Sequence, residues 1–264
     1  MSDAARIISA SRRTDLPGFF ADECAARLRR LRKPVHSVFF WTRHPAGLVR
    51  PGPLADELGC IESPFVHLTL TGLGGSRLEP RAPSTAEVLA VLDPLIAQLR
   101  GQAERLLWRF DPVLVETSPV ERFATLAPEL ARRGVRTCIF SFPAHLSLKG
   151  SLDEQYARFG LSRPPRPVRR ETALRLAEIA ASCGLLLRVC AQGQLLEDTA
   201  GAIEAASCID GALAARLHPR CLPVDLAKDP SQRRHCRCAV SHDIGRYGDR
   251  CRSGCVYCYS SAGD

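Results

Sequence analysis

The cysteines carry the clearest chemistry in this chain. Twelve occur in 264 residues, eight of them lie between Cys190 and Cys258, and five of those fall in the last 29 residues. Packing does not require such clustering, whereas metal binding does. Cys251, Cys255 and Cys258 follow the spacing C-x3-C-x2-C. Thiolates are soft ligands that select zinc or iron–sulfur clusters, and closed structural zinc sites use four protein ligands. Three thiolates leave one position open, so a [4Fe-4S] cluster on them has three anchored irons and one reactive corner. Arg252, Ser253 and Gly254 form a small loop able to wrap it. Cys190, Cys208, Cys236 and Cys238 make a second set that fits a closed [4Fe-4S] cluster or a zinc site, with Cys236 and Cys238 on one short loop. The alternative is that Cys190 and Cys208 are core residues, and Cys221 can stand in for any of the four. Cys24, Cys60, Cys138 and Cys183 are scattered among apolar residues and read as small buried hydrophobes.

Polar residues follow each of six apolar runs that read as strands. Arg6–Ser9 leads into Ser11, Arg12, Arg13 and Asp15. Ser37–Trp41 leads into Thr42, Arg43 and His44. Phe65–Leu70 leads to Thr71. Arg105–Arg109 carries Arg109 and Asp111, Arg136–Phe140 leads to Ser141, and Leu185–Val189 leads to Cys190 and Gln192. Arg12, Asp15, Arg109 and Asp111 are the catalytic candidates, and Arg13, Thr42 and Arg43 are candidates for holding a cofactor. Arginine forks at positions 12, 13, 43 and 109 suit a carboxylate or phosphate. An ion pair of Arg109 with Asp111 is the structural alternative.

Between the runs lie helical patterns: Phe19 to Leu31, Val88 to Leu99, a helix opened by a capping box at Ser118-Pro119-Val120-Glu121 and closed by Gly134, and Thr172 to Ala181 before Gly184. Pro164 to Pro167 reads as a stiff connector. Strands separated by single helices imply βαβ units in a parallel sheet, and active sites of such folds sit at the carboxyl ends of the strands. The expectation is one α/β domain over residues 1–264, a parallel (β/α)6-type barrel or part-barrel. Its cysteine-rich segment, 190–264, would bind the cluster at the barrel mouth. An open doubly wound sheet is the structural rival.

Hydrophobic residues make up 45% of the chain and charged residues 24%, enough for a sizeable core and too few charges for wholesale disorder. No run of about 18 apolar residues is present to span a membrane, and Met1 to Asp15 has no secretory apolar region. The expectation is a cytoplasmic protein with reduced cysteines. The net charge of +8, almost all from arginine, permits a nucleic-acid partner without requiring one.

C-x3-C-x-aromatic-C, with Tyr257 as the aromatic, resembles the signature of radical S-adenosylmethionine (SAM) enzymes. The resemblance implies a [4Fe-4S] cluster on Cys251, Cys255 and Cys258, SAM on its fourth iron, Tyr257 near the adenine, and release of a 5′-deoxyadenosyl radical. A flavodoxin- or ferredoxin-type electron donor is the implied partner, with a small-molecule or macromolecular substrate not identified. Cys255 to Tyr259 is similar to the spore photoproduct lyase-like branch, as is Arg109-Phe-Asp-Pro112. A closer likeness is to the bacterial family known as domain of unknown function 1848. It is carried by Ile8-Ser-Ala-Ser-Arg-Arg-Thr-Asp15, Phe40-Trp-Thr-Arg43, Leu70-Thr-Gly72, Trp108-Arg-Phe-Asp-Pro112, Cys208-Ile-Asp210, Cys236-Arg-Cys238 and the final triplet. Ordinary radical SAM domains place the triplet after the first strand. Here it follows six, an order that suits a permuted barrel whose ends are neighbours in space. Two other readings compete. One is a zinc-binding regulatory or nucleic-acid-binding protein, and the other is a metal-dependent barrel hydrolase with Asp15, His44, His67 and Asp111 as ligands.

Overall fold

A computed structural model describes residues 5–143, 151–246 and 248–258, without the side chains of Ser151 and Leu152. Tyr259 lies outside the described residues. Eight strands form one sheet: β1 (Arg6–Ala10), β2 (Val35–Thr42), β3 (Pro64–Thr69), β4 (Leu106–Phe110), β5 (Thr137–Phe140), β6 (Leu186–Val189), β7 (Glu204–Ala205) and β8 (His242–Asp243). The order is β7-β6-β5-β4-β3-β2-β1-β8, and every pairing is parallel. Consecutive strands are neighbours, and β8 returns beside β1, as in an eight-stranded barrel. Among the described residues β7 and β8 are the sheet's two edges, an order consistent with a part-barrel. The six sequence-derived strands are β1 to β6, and the two extra strands are two residues each.

Successive residues of a strand point to opposite faces, and the two faces are packed differently. Val38, Phe40, Val66, Leu68, Leu106, Trp108, Phe110, Cys138, Phe140, Leu187 and Val189 lie in the larger core with the helices. Trp108 is fully buried, stacks on Phe123 at 4.7 Å and donates its indole N–H to the Leu70 carbonyl at 2.9 Å. Ile7, Phe39, Phe65, Leu107 and Ile139 face the other way and pack against Cys208, Ile209, Ala214, Cys236, Cys238 and Ala239. The stretch from 206 to 239 therefore floors the concave side, and Phe39 stacks on Phe65 at 4.6 Å there.

Several local expectations are corrected. Helix Pro119–Arg132 does start with proline in its first turn, but Ser118 has left-handed backbone (φ +48°) and makes no side-chain cap. A capping box needs extended backbone at its first residue. The box forms instead at Ser84–Glu87, where Ser84 is extended and both reciprocal bonds are made. Gly134, at φ +86°, closes the Pro119–Arg132 helix with Val135 N–H bonded to Leu130 O at 3.2 Å. The Pro164–Pro167 stretch is a connector only in its first half, because Arg166 opens the helix Arg166–Ser182. Cys24 and Cys138 are core residues as expected, but Cys60 is exposed and Cys183 half-buried. Among the described residues no helix is long and apolar enough to cross a membrane.

Candidate functional site

A cavity of about 540 Å³ opens at the carboxyl ends of the strands, lined by Arg12, Arg13, Asp15, Thr42, Arg43, Arg109, Asp111, Tyr257 and the seven cysteines of the two sets, but not by His44 or His67. Residues from five strand ends (Arg12, Thr42, Thr69, Arg109 and Ser141) meet there with both sets of cysteines. Cys221 is exposed and is not part of the lining.

Cys251, Cys255 and Cys258 come from one irregular turn. Gly254 takes φ +67°, a conformation that favours glycine, and Cys258 N–H bonds to Cys255 O at 3.1 Å. Val256 N–H donates to Leu78 O at 3.1 Å and docks the turn on the loop that follows β3. Cys251 Sγ lies 3.5 Å from Ser253 Oγ. Burial pushes the Cys255 thiol up to about 11, against the pull of Arg43. The donor set is three thiols with no carboxylate or imidazole among them, which fits an iron–sulfur cluster with one open corner.

Tyr257, between two of these cysteines, is fixed from the opposite side. Its hydroxyl donates to Glu79 and accepts from Arg43 Nη2 at 2.7 Å. Arg43 Nη1 is 2.9 Å from Glu79 Oε2, Thr71 Oγ1 donates to Glu79 Oε1 at 2.6 Å, and Arg43 Nη2 reaches the Asp111 carbonyl at 3.3 Å. Burial and Glu79 hold the Tyr257 phenol well above its ordinary range, against Arg43. Burial works against the Arg43 charge, but Tyr257 and Glu79 more than offset it. The loops after β2 and β3 are thus tied to the cysteine turn through one buried carboxylate. Glu79, only 1% exposed, was missed in the sequence because it sits in a polar, glycine-containing loop with no periodicity to mark its burial.

The second cysteine set also gathers. Cys190 Sγ and Cys208 Sγ are 3.6 Å apart, and Cys236 and Cys238 lie in the same buried cluster as Cys208. Arg109 Nη1 donates to Cys208 Sγ at 3.1 Å while its Nη2 pairs with Asp111, and Asp111 also accepts from Ser141. The Cys208 thiol is held well below its usual range by donation from Cys190 and Cys238, helped by Arg109. Cys238 donation brings Cys236 down to about 6. Among the described residues, no three His, Cys, Asp or Glu side chains converge to hold a single metal ion.

The remaining candidates divide by how much bonding capacity they have left. Asp15 accepts from Gly18 N–H at 2.9 Å and from Arg43 N–H at 2.7 Å, and Thr42 Oγ1 accepts from His44 N–H at 2.8 Å. Both shape the loop backbone. Arg13 is exposed on the rim. Arg12 lies over the Trp41 ring at 5.8 Å and donates to Ser241, but its buried Nε has no hydrogen-bond partner among the described residues. Gln232 and Arg233 also line the cavity and carried no motif in the sequence, and Trp41, of the Phe40–Arg43 motif, lines it too. The hydrolase ligand set is not assembled: His67 bonds to the Cys208 carbonyl at 2.6 Å and stacks on Trp41, His44 packs edge-on to Phe19, and Asp15 and Asp111 are engaged as described. Burial lowers His67 to about 4, so it is neutral.

No match was found to a curated protein or to a solved structure. The family model described as domain of unknown function (DUF1848) matches residues 23–260, from the first long helix through the cysteine turn, and the chain belongs to that family.

Proposed function

We propose that the protein is a radical SAM-type iron–sulfur enzyme whose cysteine-rich segment closes the mouth of a (β/α)-type barrel. The observation that carries this reading is the turn of three thiols, with Tyr257 between them, opening on a cavity ringed by strand-end polar residues. Cys251, Cys255 and Cys258 would hold a [4Fe-4S] cluster. When bound, that cluster supplies one-electron reductive cleavage of SAM to a 5′-deoxyadenosyl radical.

The chain's own residues prepare the site. Glu79 and Arg43 lock the Tyr257 ring at the cavity wall, so its face is presented without loss of side-chain freedom on binding. Arg12 lies over the Trp41 ring, and its buried Nε has no hydrogen-bond partner among the described residues. It is the cation available for an anionic group on the substrate or on SAM. Arg43 and Arg109 are already paired and act by positioning. Phe39 and Phe65 pack in the buried cluster with Cys208, Cys236 and Cys238, three residues that line the cavity. The electron donor is a flavodoxin- or ferredoxin-type protein, and the substrate is an organic molecule or macromolecular group that enters the cavity.

The test is anaerobic reconstitution with iron and sulfide, then addition of dithionite and SAM. Formation of 5′-deoxyadenosine by the wild-type chain and its loss in Cys258→Ala are expected. Retention in that variant, or binding of zinc with no SAM cleavage, overturns the reading in favour of a zinc protein.

A further inference from the structure

We infer that Cys190, Cys208, Cys236 and Cys238 form a second iron–sulfur site, a closed four-thiolate centre facing the same cavity as the Cys251–Cys258 turn. The inference stands on different residues from those of the proposed function. Cys190 Sγ and Cys208 Sγ are 3.6 Å apart, Cys208, Cys236 and Cys238 share one buried cluster against which Cys190 packs, and all four line the cavity. They come from three separate places: the end of β6, the stretch after β7, and the loop before β8. All four are free thiols. A cysteine serving only as a small hydrophobe needs no second thiol beside it. Four brought together over such sequence separations are a ligand set.

The surroundings are those of sulfur that carries charge. Arg109 Nη1 points at Cys208 Sγ from 3.1 Å, and the Ile209 backbone N–H points at Cys238 Sγ from 3.3 Å. N–H donors aimed at ligating sulfur orient it and tune the centre it holds. Cys208, Cys236 and Cys238 are at most 7% exposed, and Arg12 and Arg233 supply further positive charge along the same cavity wall. A cubane offers a separate iron to each of four thiolates. Four protein ligands leave no iron corner open. The centre therefore differs in kind from the three-thiolate turn across the cavity.

The experiment uses the full chain, reconstituted without oxygen with ferrous iron and sulfide, and compares wild type with Cys251→Ala/Cys255→Ala/Cys258→Ala and with Cys208→Ala/Cys238→Ala. Iron, sulfide and zinc are counted per chain, and the dithionite-reduced samples are examined by electron paramagnetic resonance. Wild type is expected to bind about eight irons, and each multiple variant about four, with a distinct reduced signal. Combining all five substitutions is expected to remove iron altogether. A wild-type chain with about four irons, all lost in the triple variant, overturns the inference. So does zinc in place of iron in the triple variant. If instead Cys208→Ala/Cys238→Ala removes all iron while the triple variant keeps it, this site stands and the cluster assigned to the C-terminal turn fails. Where a variant does not fold, a wild-type count of about eight irons still requires both sites.

Discussion

Glu79→Gln removes one charge and almost no volume from the network that ties the cysteine turn to the sheet. In the native chain the Glu79 carboxylate has Arg43 at 2.9 Å, Thr71 at 2.6 Å and the Tyr257 hydroxyl as partners. Glutamine can still accept from Thr71 and Tyr257, so those bonds survive, but Arg43 is left as a cation whose side chain is 14% exposed and has lost its carboxylate. Removing one partner of a buried pair costs about 3–5 kcal/mol, and the retained acceptor puts this variant near 3 kcal/mol. Tyr257→Phe deletes one donor to Glu79 and one acceptor for Arg43, a loss of about 1–2 kcal/mol. Because Arg43 bonds to both side chains, the double variant should lose about 1 kcal/mol less than the sum. Urea unfolding of the metal-free chain, followed by circular dichroism, reads all three. With a slope of about 3 kcal/mol/M, Glu79→Gln moves the midpoint down by about 1 M. A midpoint within about 0.2 M of wild type, or strict additivity with Tyr257→Phe, would refute a coupled buried network.

Asp243 accepts from Ser9 Oγ at 2.7 Å, Gly245 N–H at 2.8 Å and Arg12 N–H at 3.2 Å. Burial pushes its carboxyl up, but hydrogen bonds from Ser11, Ser9 and these backbone groups overrule it and hold the carboxyl below its ordinary range. A depressed folded value means the unfolded chain binds the proton more readily. The stability Asp243 contributes is therefore complete above about pH 4 and is lost as the pH falls through the folded value. Asp243→Asn should flatten that part of the stability profile, and an acid loss identical to wild type would contradict the assignment. Gly47 and Gly59 form a matched pair. A Cβ at Gly47 would lie 2.0 Å from the Pro17 carbonyl oxygen, whereas one at Gly59 meets nothing within 4 Å. Gly47→Ala should destabilise by about 2–3 kcal/mol, and Gly59→Ala, inside the helix Pro53–Cys60, should stabilise by about 0.5–1 kcal/mol. Thermal unfolding of both variants checks the sign of each.

The strands legible in the sequence were those long enough to show a pattern. β1 to β6 are apolar runs of four to eight residues bounded by polar loops, and their carboxyl ends supplied the candidate site residues directly. β7 and β8 have two residues each, fewer than any periodicity needs, and they exist because their neighbours offer a free edge. The S-x-x-E pattern occurs at both Ser84 and Ser118, and only the backbone at each serine, set by the preceding loop, decides where the box forms. The cysteines could be singled out by spacing and crowding. That Arg43 and Arg109 are paired inward while Arg12 keeps an open N–H depends on Glu79 and Asp111, which tertiary packing alone brings into place.

The pairing of β8 with β1 also sets an order of assembly. The free edge of β1 is covered when Ile8 and Ser9 meet His242 and Asp243, residues that leave the ribosome more than two hundred positions after their partners. Chains fold from the amino end as they emerge, so β1 to β6 can associate while the outer hydrogen-bonding edge of β1 is still bare. Bare edges recruit other strands. The nascent chain therefore has a period of exposure that closes only as the thiols of the 251–258 turn are being delivered, which couples protection of the edge to the arrival of those cysteines.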